Sequence, residues 1–174
     1  MLEGLKRNIF FSKLKHLKPA LPKPVNSGWN MAANIAVLFD QHSEQDITDV
    51  KRLTQQLTAA GKKVHTLGYD STITKKEIPA EGYYGLGQLS FVNIPSGDAV
   101  KEFTEYPADI LIVLSSSLPL HFVYIISKSC AALKVGRYDD EFQHYFDLTV
   151  DCPKNISYRQ LAEKYLQTLQ ILAQ

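Results

Sequence analysis

The fold is decided by residues 108–136, which read ADILIVLSSSLPLHFVYIISKSCAALKVG. Ile110 to Leu114 is an unbroken apolar run, and a strand without polar alternation is typical of a parallel sheet covered on both faces. A polar turn of three serines follows, and Pro119 then opens a long apolar segment. Because Ser117 is a good N-cap and proline is tolerated in a first helical turn, we predict a helix here. The stretch therefore forms half of a βαβ crossover.

A similar unit precedes this one in the chain. Residues 34–39, NIAVLF, predict a second buried strand that ends at Asp40. Asp46 is expected to cap the following helix, and Gly61 is a typical residue to end it. Residues 63–67 then return as a strand, which closes a βαβ-type unit.

The other elements continue the alternation of strands and helices. We expect a short strand near residues 89–92, strands over 133–135 and 146–150, and helices over 97–105 and 158–172. Five principal strands alternating with helices predict a three-layer, doubly wound α/β fold of the flavodoxin-like or Rossmann-like class. The simplest order of a mostly parallel sheet of this kind is 2-1-3-4-5. We assign residues 33–174 to this single domain.

Residues 1–32 form a separate basic segment in front of the domain. Apolar residues recur every three or four positions over the first 18 residues, which predicts an amphipathic helix. The prolines that follow cannot continue it and indicate an extended linker. Residues 1–24 carry a net charge of +5, whereas the whole chain carries +1, so the body of the protein is mildly acidic.

Composition limits the class of protein. Hydrophobic residues make up 45% of the chain and charged residues 21%, which is typical of a soluble globular protein. No apolar run approaches the roughly 18 residues that a transmembrane helix needs. Two cysteines are too few for a disulfide framework, and we expect a cytoplasmic protein.

One candidate ligand site follows from the fold. Ligands of open α/β sheets bind beyond the carboxyl ends of the strands, where the strand order reverses. The loops after two central strands place Asp40, His42, Ser115, Ser116 and Ser117 there. Hydroxyls and the N-terminus of a helix suit a phosphate, nucleotide or sugar phosphate. The alternative is that the serines only cap the helix and Asp40 only ends its strand.

The sequence favours binding over catalysis. Ser116 or Ser117 with His42 and Asp40 could be drawn as a triad, but no glycines of a nucleophile elbow flank the serines. No phosphate-binding glycine loop and no metal-ligand spacing is present, so we predict neither cofactor nor metal. His121 falls on a polar line of the central helix, which is typical of a solvated face.

The basic N-terminal helix is the preferred functional segment. We predict a non-enzymatic module that docks on an acidic surface of RNA or a ribosome, of a protein, or of a membrane. The alternative is that the apolar stripe of this helix covers the domain's own surface or a second copy, with the lysines merely solvated. The candidate contact residues are Lys6, Arg7, Phe10, Phe11, Lys13, Lys15 and Lys18.

The chain resembles a family of uncharacterised small proteins from Bacteroidota. Those proteins are similar in having a basic N-terminal arm, a strand that ends in a serine turn, and a helix that reaches a Val-Gly pair. The matching residues here are Asp109, Leu114, Ser115, Pro119, Leu120, Ser127, Lys128, Val135 and Gly136. The resemblance covers most of the chain. It implies a Rossmann-like fold and a cytoplasmic bacterial protein, and it implies no particular activity.

Overall fold

The computed structural model describes residues 2–17, 28–153 and 155–173. Nearly all of the predicted proline-rich linker lies outside these ranges. The helices are α1 (Leu2–Lys15), α2 (Glu44–Ala59), α3 (Asp98–Glu105), α4 (Leu120–Lys128) and α5 (Tyr158–Leu172). The strands are β1 (Asn34–Gln41), β2 (Lys63–Asp70), β3 (Tyr83–Gly85), β4 (Ile110–Leu114), β5 (Leu133–Arg137) and β6 (Leu148–Val150).

The strands form one parallel sheet in the order β3-β2-β1-β4-β5-β6. The prediction of a doubly wound α/β fold is therefore confirmed, and the five predicted strands stand in the predicted order. The prediction of a strand at residues 89–92 is wrong. The sixth strand is Tyr83–Gly85 at the edge beside β2, and Leu89 makes only an isolated antiparallel bridge with Pro95.

Both faces of the sheet are covered, as the apolar strands require. On β1, Ile35, Val37 and Phe39 pack into one apolar cluster with residues of α2 and α5. The alternate residues Ala36 and Leu38 pack on the opposite face with residues of α3 and α4. All five residues of β4 are buried, because this strand lies between β1 and β5 under helices on both sides.

The starts of two helices differ from the sequence prediction. The N-cap of α2 is Ser43, and Asp46 lies three residues inside, where its carboxylate accepts the Ser43 N–H at 2.8 Å in a capping box. The N-cap of α4 is Pro119, so the prediction of Ser117 as the cap is wrong. The carbonyl of Ser117 instead accepts the Ser115 hydroxyl, which holds this residue in the turn. Gly61 follows the α2 C-cap at φ +78°, as predicted for a helix stop.

Helix α1 packs on the domain rather than standing apart from it. Phe10 is fully buried and Leu14 nearly so, in a cluster with Val123 of α4 and with Phe142. Arg7 adds an ion pair to Glu141, which lies in the segment between β5 and β6. Phe10 and Leu14 therefore pack on the domain's own surface, as the second of the two readings expected, whereas Leu2, Leu5 and Ile9 of the predicted stripe are exposed.

Candidate functional site

Asp40 is the centre of a buried hydrogen-bond network at the carboxyl edge of the sheet. It is the penultimate residue of β1, and Ser115 follows the neighbouring strand β4 directly. The Asp40 Oδ2 atom accepts the Ser115 hydroxyl at 2.9 Å and contacts His42 Nε2 at 2.9 Å. The Tyr158 hydroxyl, at the start of α5, donates to Asp40 Oδ1 and to the Asp40 carbonyl. The network joins β1, β4 and α5 at one point.

Burial sets the electrostatics of Asp40. The side chain is 2% exposed, and desolvation raises its pKa, although the bonds from Ser115 and the nearby His42 act in the opposite direction. Both carboxylate oxygens already have partners within the protein. The Asp40 network therefore stabilises the junction of two strands and a helix, and leaves little bonding capacity for a ligand.

A second buried polar cluster lies at the same edge, on the opposite face from α2 and α5. His121, in the first turn of α4, is 6% exposed, so its predicted position on a solvated face is wrong. The His121 Nδ1 atom and the Tyr84 hydroxyl are 2.7 Å apart, and the Tyr69 ring packs at 4.3 Å between centroids. Burial lowers the pKa of His121 to about 4, so the ring is neutral at pH 7 and shares a hydrogen bond with the Tyr84 hydroxyl.

A cleft opens beside these clusters, at the carboxyl ends of β4, β5 and β6. Its volume is about 660 Å³, which is within the usual range of ligand pockets. We call it the serine cleft. It is lined by Val113, Ser115, Ser116, Ser117, Leu118, Arg137, Tyr138, Asp139, Asp140, Asp151, Cys152 and Pro153.

The structure divides the five predicted site residues into two groups. Asp40, His42 and Ser115 form the buried network, and His42 is the exposed member of it. Ser116 and Ser117 are exposed and line the serine cleft, which Ser115 also reaches. The serine cleft therefore contains three of the five predicted residues, Ser115, Ser116 and Ser117, whereas Asp40 and His42 do not line it.

The opposite wall of the serine cleft was missed. It comes from the end of β5 and from the segments after β5 and β6, for which the sequence predicted no role in a site. Arg137 Nη1 donates to the Ser116 carbonyl at 3.1 Å and so joins the two walls. Asp140 accepts the Tyr138 hydroxyl at 2.9 Å. The signal was present in the sequence, because an arginine at the end of a parallel strand faces the ligand edge.

One buried hydroxyl among the described residues has no hydrogen-bond partner. Tyr165 of α5 is fully buried, and its hydroxyl has no hydrogen-bond partner among the described residues. Burial raises its pKa, and the charges of Cys152 and Arg137, two residues that line the cleft, also act on it. A buried hydroxyl without a partner costs about 1–3 kcal/mol. The unpaired Tyr165 hydroxyl therefore lowers the stability of the folded protein.

The Asp40 network does not form a pair of nucleophile and base. Ser115 and His42 contact the same oxygen of Asp40 rather than each other, so the geometry of a catalytic relay is not formed. Within the described ranges, no group of three or more His, Cys, Asp or Glu side chains is placed to hold a metal ion.

The predicted contact residues of α1 have different surroundings. Phe10 is buried, and Phe11 and Arg7 are half-buried, with Arg7 lying over the Phe11 and Phe142 rings. Lys6 pairs with Glu3 at 2.9 Å and lies 4.6 Å from the centre of the Phe91 ring. Lys13 and Lys15 are exposed, and Lys18 lies outside the described residues. No described helix is long and apolar enough to cross a membrane.

These features define a class: a parallel α/β protein with a polar cleft at the carboxyl edge of its sheet. The chain belongs to the family of unknown function DUF6913, whose family model matches residues 6–172. The match includes α1 as well as the sheet, and it agrees with the resemblance to an uncharacterised family. A search of curated proteins and a search of solved structures returned no match.

Proposed function

We propose that this protein binds a small molecule in the serine cleft and does not transform it. The observation that carries the proposal is the convergence of available polar groups in a cleft of ligand size. Ser116 and Ser117 are exposed there, and Asp151 accepts no hydrogen bond from a described residue. The location supports the same conclusion, since open α/β sheets bind ligands at this edge.

Binding without catalysis is favoured by the state of the buried groups. The Asp40 network uses its own donors and acceptors, and His121 is committed to Tyr84. The proposed setting is the cytoplasm of a bacterium of the Bacteroidota. The resemblance of the sequence supports the source, and two cysteines that form no disulfide suit a reducing compartment.

A thermal-shift screen of the full chain tests the proposal. Sugars, nucleosides, amino acids, nucleotides and sugar phosphates are screened as separate sets. A ligand present at 100 times its Kd adds about 2.7 kcal/mol to the free energy of unfolding, which is easily measured as a higher Tm. The shift should disappear in Ser116→Ala and Arg137→Ala but remain in Lys51→Ala, on the exposed side of α2. The proposal fails if no set raises the Tm, or if the variants respond like the parent.

The outer face of α1 supports a second function, which is docking on an acidic partner. Leu2 and Leu5 are 57% and 56% exposed, on the same helix as the exposed Lys13 and Lys15. Apolar and basic side chains together suit an acidic protein, RNA or membrane surface. Deletion of the helix would remove the buried Phe10 as well, so point variants are the sharper test.

The docking experiment compares two double variants of equal charge change. Lys13→Glu with Lys15→Glu should abolish salt-sensitive co-purification of a partner from the native host. The control reverses Lys51 and Lys101, which are exposed on α2 and α3. Docking through α1 is wrong if the test variant and the control variant recover the same partner. It is also wrong if neither the parent protein nor the control variant recovers a partner.

A further inference from the structure

The charges around the serine cleft restrict what it can bind. Its described lining residues include one cationic group, on Arg137, and three carboxylates, on Asp139, Asp140 and Asp151. A phosphate offers only acceptors, so it suits Arg137 and is repelled by the three carboxylates. An ammonium group offers only donors, so it suits the carboxylates and meets Arg137 unfavourably.

The hydrogen bonds already formed show which groups remain available. Asp139 Oδ1 accepts the N–H groups of Glu141 and Phe142 at 2.9 and 3.0 Å, which fixes that carboxylate in its loop. Asp140 accepts the Tyr138 hydroxyl. Asp151 is exposed and accepts no hydrogen bond from a described residue. Toward the described residues Arg137 forms a hydrogen bond only through Nη1, so its other N–H groups have no described acceptor.

A hydroxyl group is the ligand chemistry that fits both kinds of available group. It donates to a carboxylate and accepts from a guanidinium at the same time. Two adjacent hydroxyls, as on a ribose or a pyranose, satisfy an acceptor and a donor side by side. Tyr138 lines the cleft and is 40% exposed, so its ring could stack against a base or a sugar ring.

We infer that the serine cleft binds a neutral ligand through a vicinal diol, with Asp151 accepting from the diol and Arg137 donating to it. The inference rests on the proposed function. It narrows the ligand from any small molecule to neutral sugars and nucleosides, and it excludes their phosphate esters. Ser116 and Ser117 then supply further hydroxyl contacts on the β4 side.

Isothermal titration of the full chain tests the diol directly. The probes are adenosine, 2′,3′-dideoxyadenosine, which lacks the diol, and adenosine monophosphate, which adds the charge; methyl glucoside and glucose 6-phosphate are the sugar pair. At least one neutral probe should bind, and its phosphate should bind about tenfold or more weakly. Asp151→Asn and Arg137→Lys should each weaken the neutral probe about tenfold or more, since each alters a hydrogen bond to a charged group. Glu105→Gln, exposed at the end of α3, is the matched control and should leave binding unchanged.

The outcomes separate this inference from the proposed function. If a phosphate or an amino acid binds more tightly than the neutral probes, or if the dideoxy compound binds as well as adenosine, the diol is wrong while a ligand site remains. If no probe binds in titration and no set shifts the Tm, both are wrong. A neutral probe that binds equally to the parent and to Asp151→Asn also overturns the inference.

Discussion

The unfolding free energy should depend on pH through His121. The residue is buried in the first turn of α4 against Tyr84, Tyr69 and Phe122. Its pKa falls from 6.5 to about 4 in the folded protein, because burial disfavours the charged ring. The unfolded chain therefore binds the proton more readily than the folded protein does. Stability from this group is fully present above pH 6.5 and is lost as the pH falls through about 4.

The size of the effect follows from the same pKa values. A fall from 6.5 to about 4 corresponds to about 3 kcal/mol of unfolding free energy. Such a change is a large part of the roughly 5–15 kcal/mol that stabilises a typical domain. We expect urea unfolding curves, followed by circular dichroism, to show this loss between those two pH values.

Variants isolate His121 from the other groups that titrate in this range. His121→Asn keeps an acceptor for the Tyr84 hydroxyl but has no titrating ring, so its stability should change less with pH by about 3 kcal/mol. His16→Asn, at an exposed position just after α1, should leave the pH dependence unchanged. Parallel curves for the parent and His121→Asn would refute the argument, as would an NMR titration that places the His121 pKa near 6.5.

Three further predictions concern stability and are measured by the same urea unfolding. Phe10→Ala should lower the unfolding free energy by about 3 kcal/mol because the ring is fully buried. The control Lys13→Ala, at an exposed position, should change it by less than about 0.5 kcal/mol. Equal effects of the two substitutions would mean that α1 does not pack on the domain. Tyr158→Phe should cost about 2 kcal/mol, since it removes a hydroxyl bonded to a buried carboxylate, and an unchanged midpoint would contradict this network. Gly61→Ala should destabilise the protein by about 1 kcal/mol, because φ at this position is +78°. Gly4→Ala, in α1 with open space around it, should stabilise the protein by about 0.5 kcal/mol. Changes of the same sign would refute this conformational argument.

The fold was predictable because its main strands carry strong local signals. Ile110 to Leu114 lacks any polar residue, which is typical of a strand inside a parallel sheet. Because parallel strands end at the same edge of the sheet, Asp40 and Ser115 lie together there. β3 gave no such signal. It has three residues, and a strand of that length is held in place by its neighbour β2 rather than by its own periodicity.

The burial of His121 could not be derived from α4 alone. On the helix it shares a line with polar residues, yet Tyr69 and Tyr84 arrive from strands far earlier in the chain and cover it. The serine cleft was half predicted for a similar reason. Three consecutive serines mark the β4 loop in the sequence. Arg137 and Asp151, in contrast, lie near the ends of two different strands, and only the order of strands in the sheet brings them together.

The charge split between the N-terminal segment and the body also changes meaning in the structure. Arg7 pairs with Glu141 of the domain and so helps to hold α1 in place, whereas Lys6 pairs with Glu3 within the helix. The basic surface left for a partner is therefore smaller than the sequence suggests.

The polar groups at the carboxyl edge have two separate roles, and the hydrogen bonds distinguish them. Three of the six buried polar side chains among the described residues, Asp40, Ser115 and His121, gather at this edge. Each is satisfied within the protein, so a change at Asp40 or His121 must alter stability before it alters binding. Within the part of the chain that the structure describes, Asp151 accepts no hydrogen bond and Arg137 donates only through Nη1. Substitutions in the two groups should therefore have opposite signatures: a lower free energy of unfolding from the buried network, and a weaker affinity at unchanged stability from the serine cleft.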